Sequence, residues 1–223
     1  MRTPSGSRAA SAGSAYWISC APTQPGFEPP RVECGQISDC LNGLRPQIPP
    51  GTAGLTLVPY WNSAMNPYWD AGASGIMVGW RGIHQGPHFY RAILEGIAFE
   101  LRLHIEGVEA ALGQPLNRLI AVGGGARSPL WCQIIADICG RPVLRAGTSE
   151  ATALGAGILA AAGAGLYPDV LTAARAMANV SCQTFPTDSM RRTFYEQIYQ
   201  QVYRHLFPAL QHYLDTLADL IGS

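Results

Sequence analysis

The stretch Leu119–Val143, LIAVGGGARSPLWCQIIADICGRPV, constrains the fold more than any other part of this chain. Leu119–Val122 is a short apolar run that predicts a buried strand. Gly123, Gly124 and Gly125 follow at once, and Gly123–Arg127 reads as a turn. Ser128 is placed to cap a helix that begins at Pro129, where a missing N–H and a fixed φ suit the first helical turn. That helix is predicted to run to Gly140, and Val143–Leu144 is the next strand. A further helix of small residues is expected from about Ser149. Strand, turn, capped helix and strand in this order argue for a sheet covered by helices.

The same segment carries chemistry. Glycines let a backbone come close to a ligand without Cβ clashes. A helix N-terminus adds free N–H groups and the positive end of the helix dipole. Together they suit part of a nucleotide; the plain alternative is a tight turn with no ligand. The segment is not a Walker loop, because no G-K-[ST] follows. As a dinucleotide fingerprint, Gly123-x-Gly125-x-x-Ser128 has serine where the third glycine or alanine belongs. Arg145, after the next strand, is placed to meet an NADP phosphate. An NADP-dependent oxidoreductase domain is therefore one alternative.

Elsewhere, aromatic and β-branched runs predict strands at Tyr16–Cys20, Arg31–Ile37, Leu55–Tyr60 and Ile76–Trp80, separated by Pro/Gly loops. Residues 1–12 read as a disordered start. From Pro87 the spacing of Ile93, Ile97, Leu101, Ile105, Val108 and Leu112 predicts a long helix with one buried stripe. Gly113 and Pro115 end it. Beyond Tyr167 the chain reads as all-helical. Phe194, Ile198, Val202 and Leu206 form one stripe; Leu210, Tyr213, Leu214 and Leu217 form another after Pro208. Ala153, Gly157, Ala161 and Gly165 recur every four residues, a nearly bare face for close packing.

Hydrophobic residues make up 48% of the 223 and charged residues 13%, which fits a packed chain and not a disordered one. Lys+Arg and Asp+Glu are both 15, so no basic surplus points to nucleic acid. The six cysteines show no C-x-x-C pair, which suits reduced thiols and a cytoplasmic protein. No apolar core follows Met1, so no signal peptide is expected, and no run is apolar enough for a membrane span. His84 and His88 stand four apart with Pro87 between them and no third ligand in reach, so no metal site is expected.

Three segments in order resemble the FGGY family of carbohydrate kinases, notably its xylulokinase-like branch. GGGARSPLWCQIIADICGRPV is similar to the family's adenosine-binding segment. Gly75–Glu95, GIMVGWRGIHQGPHFYRAILE, resembles its second signature, matching at Gly75, Met77, Gly79, His88, Phe89, Ala92, Ile93, Leu94 and Glu95. Trp80 departs, since the family prefers an aliphatic residue there. Glu150–Gly157 looks like the family's interdomain hinge helix. Ser11–Ala15 resembles its phosphate loop, with Gly13 and Ser14 as backbone and hydroxyl donors to phosphate. Gly35 sits where the family has a glycine near the phosphates. Asn62–Asp70 matches a family loop at Pro67 and Asp70, with Ala64 and Met65 replacing its charged pair.

The resemblance implies an α/β fold, an actin/Hsp70-like (ribonuclease H-like) ATPase lobe with a mixed sheet flanked by helices. It implies phosphoryl transfer from ATP, with Mg²⁺ carried on the nucleotide, to a hydroxyl of a small sugar or polyol. The nucleotide-binding residues would be Gly13, Ser14, Gly35, Gly124, Gly125, Ala126 and Ser128. Residues 13–223 would form the C-terminal, nucleotide-binding domain. The family's catalytic aspartate precedes the phosphate loop; only 12 residues precede Gly13 and none is acidic. The expectation is a chain without the N-terminal sugar-binding lobe, inactive alone, and prone to form homo-oligomers through the apolar face left open. A non-catalytic, truncated or interaction module is the other alternative.

Overall fold

The computed structural model describes residues 48–148, 150–178 and 183–221. The start 1–12 and the strands expected at Tyr16–Cys20 and Arg31–Ile37 lie outside them.

A short turn, Pro50–Gly54, leads into β1 (Thr56–Val58), which pairs antiparallel with β2 (Ile76–Val78). The long helix α1 (Gly86–Leu112) begins beside Pro87 and stops at Gly113, whose φ of +66° is the left-handed geometry glycine tolerates. Next come β3 (Leu119–Ala121), α2 (Pro129–Cys139), β4 (Val143–Arg145), α3 (Ala151–Gly163) and α4 (Val170–Met177). The chain closes with β5 (Gln183–Phe185), α5 (Ser189–Ile198), a π-helical turn Tyr199–Tyr203 and α6 (Arg204–Ile221). β3 and β4 are parallel, with Ala121 opposite Arg145; β5 lies antiparallel on the far side of β4. Among the described residues the result is a small mixed sheet and a two-stranded ribbon.

β5 overturns the expectation that everything beyond Tyr167 is helical. Its three residues are too short for an alternation to stand out from the helices around it. It is recognisable only by its partner, Val143 facing Phe185.

The buried face of α1 follows the predicted aliphatic stripe only in part: Ile105 is buried and Ile93 and Leu101 pack against the core. Ile97, Val108 and Leu112 are exposed, whereas Ala92, Glu95, Gly96, Ala98, Phe99 and Glu100 are buried. The cause is close approach. A Cβ on Gly96 would stand 2.3 Å from the Leu57 carbonyl oxygen, so β1 crosses the helix at bare backbone. The C-terminal stripe is likewise shifted by one residue. Tyr195, Tyr199, Tyr203 and Phe207 are buried, and Phe194 and Val202 face out. The tyrosine hydroxyls donate to the α1 carboxylates: Tyr195 to Glu95 at 2.7 Å, Tyr199 to Glu106 at 2.8 Å and Tyr203 to Glu100 at 2.9 Å. Buried phenol rings thus satisfy the buried carboxylates Glu95 and Glu100 and the part-exposed Glu106, a pairing that a hydrophobicity pattern does not register. α6 runs through Pro208 without a break.

α2 packs against α1 and α5. Asp137, almost fully buried, accepts from the Asp188 N–H at 2.8 Å and from the Gln133 amide at 2.9 Å, fixing the start of α5 against α2. On α3 the small-residue face is used in part. Gly157 lies against Met177 of α4, 3.8 Å from where its Cβ would be, and Ala161 is buried; Ala153 is exposed and Gly165 lies beyond the helix end.

Candidate functional site

The candidate site lies where the two parallel strands end. β3 stops at Ala121, and Ala146 extends the ladder by donating its N–H to the Ala121 carbonyl at 3.0 Å. Gly123 then takes φ +83° and ψ −174°, a region open essentially to glycine alone. Gly124–Arg127 forms one 3₁₀ turn, with the Ala126 N–H donating to the Gly123 carbonyl at 3.2 Å. Ser128 caps α2 by accepting from the Trp131 N–H at 3.3 Å, and Pro129 opens the helix. The Cys132 thiol reaches back to the Ala126 carbonyl at 3.4 Å and pins the turn to the helix. The turn, the cap and the helix anticipated for this segment are in place; the strand before them ends at Ala121 and is not the buried one expected, with Ile120 and Val122 both exposed.

The turn forms one wall of an open cavity of about 300 Å³, lined by Gly123, Ala126, Arg127, Arg145, Ala146, Gly147 and Thr148. In open parallel sheets, ligands occupy the crevice outside the carboxyl ends of the strands, and this cavity is in that place. Arg127 and Arg145 are the charged side chains in its lining. Arg127 lies on the α2 side, 3.8 Å from Glu150 at the start of α3; both are largely exposed. Arg145 is half-buried at the end of β4. Burial pushes the Cys132 thiol up, and the Arg145 charge pulls it the other way.

Among the residues anticipated from sequence, Ala126 lines the cavity and is buried. Gly124 and Gly125 are exposed in the turn beside it, and Ser128 acts as the helix cap. A Cβ on Gly124 would meet nothing within 4 Å; one on Gly125 would stand 3.3 Å from the Trp131 indole nitrogen. Gly13, Ser14 and Gly35 lie outside the described residues. Sequence reasoning missed Arg127, Ala146, Gly147 and Thr148, and weighed Arg145 only for NADP. The usable signal was their position just after the second parallel strand.

The described residues hold no group of three His, Cys, Asp or Glu side chains that could bind a metal ion. His84 accepts from the Arg81 N–H at 2.9 Å and makes tilted and edge-on ring contacts with Trp80 and His88. No helix among the described residues is long and apolar enough to cross a membrane.

Residues 35–164 match the model of the C-terminal domain of the FGGY family of carbohydrate kinases. This chain belongs to that family. It is 35% identical over 161 residues to a xylulose kinase of Lactococcus lactis, covering 71% of this chain and 32% of the relative. A glycerol kinase of Alkalilimnicola ehrlichii is 40% identical over 129 residues, 58% of this chain and 26% of the relative. The FGGY-family chain spans about a third of the length of the first of these relatives and less of the second. Among solved structures, a xylulose kinase from Rhodospirillum rubrum superposes with a TM-score of 0.65 at 30% identity, covering 82% of this chain and 36% of the other. A ligand-bound xylulose kinase from Lactobacillus acidophilus gives a TM-score of 0.66 at 24% identity, with the same coverage. The fold is therefore the actin-like ATPase fold of FGGY kinases, with a mixed sheet and helices. These relatives are kinases and lend the oxidoreductase alternative no support.

Proposed function

We propose that this chain forms the nucleotide-binding lobe of an ATP-dependent kinase that phosphorylates a hydroxyl of a small sugar or polyol. The observation that carries this reading is the cavity at the ends of β3 and β4, walled by the glycine turn and the capped start of α2. Adenosine lies against Gly124, Gly125, Ala126 and Ser128, where exposed backbone admits a flat base closely. Gly13, Ser14 and Gly35 serve the phosphates, on the strength of the family resemblance. The lobe acts by positioning the donor, because phosphoryl transfer depends mainly on alignment and electrostatics. Mg²⁺ arrives with the nucleotide phosphates: no carboxylate lines the described cavity, so its side chains do not fit a metal cage. The setting is the cytoplasm.

Calorimetric titration with ATP, and with NADPH as control, tests the reading. ATP is expected to bind and NADPH to bind no better. Gly124→Val places a branched side chain in open space over the turn without disturbing Trp131, and is expected to weaken ATP at least tenfold. Equal ATP affinity in that variant would remove the turn from the site.

A further inference from the structure

Arg145 lines the cavity, and the family reading gives it no role. The residue is half-buried, yet no hydrogen-bond or ion-pair partner holds its side chain among the described residues. This contrasts with the other arginines packed against this fold. Arg91 binds Glu95, Arg102 binds Glu106 and Glu196, and Arg141 binds Glu109. Arg127, across the cavity, pairs with Glu150. A guanidinium withdrawn from water with no counter-charge is costly. Here the residue borders an open cavity whose other lining residues are Arg127, glycines, alanines and Thr148, with no carboxylate among them.

We infer that Arg145 is a specificity-determining residue of this cavity, and that it receives a phosphate group of the bound nucleotide. The inference rests on the proposed nucleotide reading and deepens it, since adenosine contacts with the glycine turn require no cation. A planar fork of N–H donors matches phosphate oxygens in pairs, so the preference is for phosphate over a smaller anion. Two phosphates could supply the oxygens. One is the 5′ chain. The other is a 2′-phosphate on the ribose, because a residue at the end of the second strand of a strand–turn–helix–strand unit stands beside the ribose hydroxyls.

The test compares adenosine, ADP, adenosine 2′,5′-bisphosphate and pyrophosphate on the wild type, Arg145→Gln and Arg145→Lys. The wild type is expected to bind a phosphorylated ligand about 10- to 100-fold tighter than adenosine, the range of a charge-assisted hydrogen bond. Arg145→Gln is expected to erase that ratio, with an unchanged far-UV circular dichroism spectrum and urea midpoint showing that the variant is folded. Arg145→Lys is expected to restore part of it. A larger gain with the 2′,5′-bisphosphate than with ADP assigns the 2′ position; equal gains assign the 5′ chain. A phosphate advantage that survives Arg145→Gln, or no advantage in the wild type, overturns the inference. If the wild type binds neither adenosine nor ADP, the nucleotide reading fails by itself. Pyrophosphate then decides for Arg145: binding lost in Arg145→Gln upholds the phosphate site, and no pyrophosphate binding overturns it.

Discussion

The Glu95 carboxylate holds Thr52 in a left-handed conformation. Thr52 has φ +50° and ψ +40°, is fully buried, and donates its hydroxyl to Glu95 at 3.1 Å. The neighbouring Gly51 N–H donates to the same carboxylate at 3.2 Å. Gly51, Thr52, Ala53 and Gly54 all have positive φ, which costs most at the two residues that carry a Cβ. Glu95 is in turn fixed by Arg91 at 2.7 Å and by the Tyr195 hydroxyl at 2.7 Å. One buried carboxylate therefore joins the turn before β1, the start of α1 and α5.

Removing that carboxylate is expected to be severe. Glu95→Ala leaves the Arg91 guanidinium buried without its partner and releases the strained turn. The expected loss is about 3–5 kcal/mol, the range for breaking a buried ion pair from one side. Urea denaturation followed by far-UV circular dichroism measures it. A loss below about 1 kcal/mol, the scale of an exposed pair, would show that Glu95 is not the anchor described.

Two glycines in α1 are expected to respond in opposite directions to alanine. At Gly96 the new Cβ would fall 2.3 Å from the Leu57 carbonyl oxygen, a backbone atom that cannot swing aside. Gly96→Ala is expected to cost about 1–3 kcal/mol as β1 is pushed off the helix. At Gly107 nothing lies within 4 Å and the position is exposed. Gly107→Ala is expected to stabilise the chain by about 0.5–1 kcal/mol through helix propensity alone. Equal shifts in the melting temperatures of the two variants would contradict the close approach at Gly96.

The contrast between these glycines also marks what sequence could convey. The segment from Leu119 to Val143 was legible because every local cue agrees: an apolar strand, glycines, Ser128 as cap, Pro129 at the first turn and Gly140 at the end. Gly96 and Gly107 look alike in sequence, and only tertiary packing separates them. The stripes on α1 and α5 misled for a related reason. Burial there is decided by Tyr195, Tyr199 and Tyr203 finding carboxylates on another helix, a long-range pairing with no local signature. The cavity was half legible. Its glycine wall belongs to a motif, whereas Ala146, Gly147 and Thr148 become walls only because β4 lies parallel to β3.

The two cysteines of α2 are expected to be chemically silent in the folded chain. Burial pushes the Cys139 thiol up to about 12, and Cys132 is also raised by burial. Both are inaccessible, and the reactive thiolate is scarce near neutral pH. Iodoacetamide labelling at pH 8 followed by peptide mapping is expected to leave Cys132 and Cys139 unmodified until urea unfolds the chain. Rapid native labelling of either would mean that α2 opens far more readily than its packing against α1 implies.

Glu100 gives the fold a pH dependence whose sign is fixed by its surroundings. Burial raises its carboxyl above the ordinary 4.5, against the pull of hydrogen bonds from the Tyr203 and Tyr60 hydroxyls. Those phenols are themselves pushed up by burial, so they remain protonated donors. Between the unfolded value and the raised folded value, the folded state binds more protons than the unfolded state. The contribution of Glu100 to stability therefore falls as pH rises through that window. Asp137, also raised by burial, acts with the same sign. Glu109 acts with the opposite sign, because the Leu116 N–H and Arg141 hold it below the ordinary range. The slope of the wild type thus mixes several groups, and a difference is needed to isolate one. Glu100→Gln removes the titration and keeps a carbonyl acceptor for one tyrosine, while the other hydroxyl can turn to accept from the amide. Stability of the variant minus that of the wild type is expected to increase from pH 4 toward pH 7. Urea midpoints at half-unit pH intervals measure it. A flat difference would mean that Glu100 is solvated well enough to titrate normally, and a decreasing one would mean that the tyrosine hydrogen bonds outweigh burial.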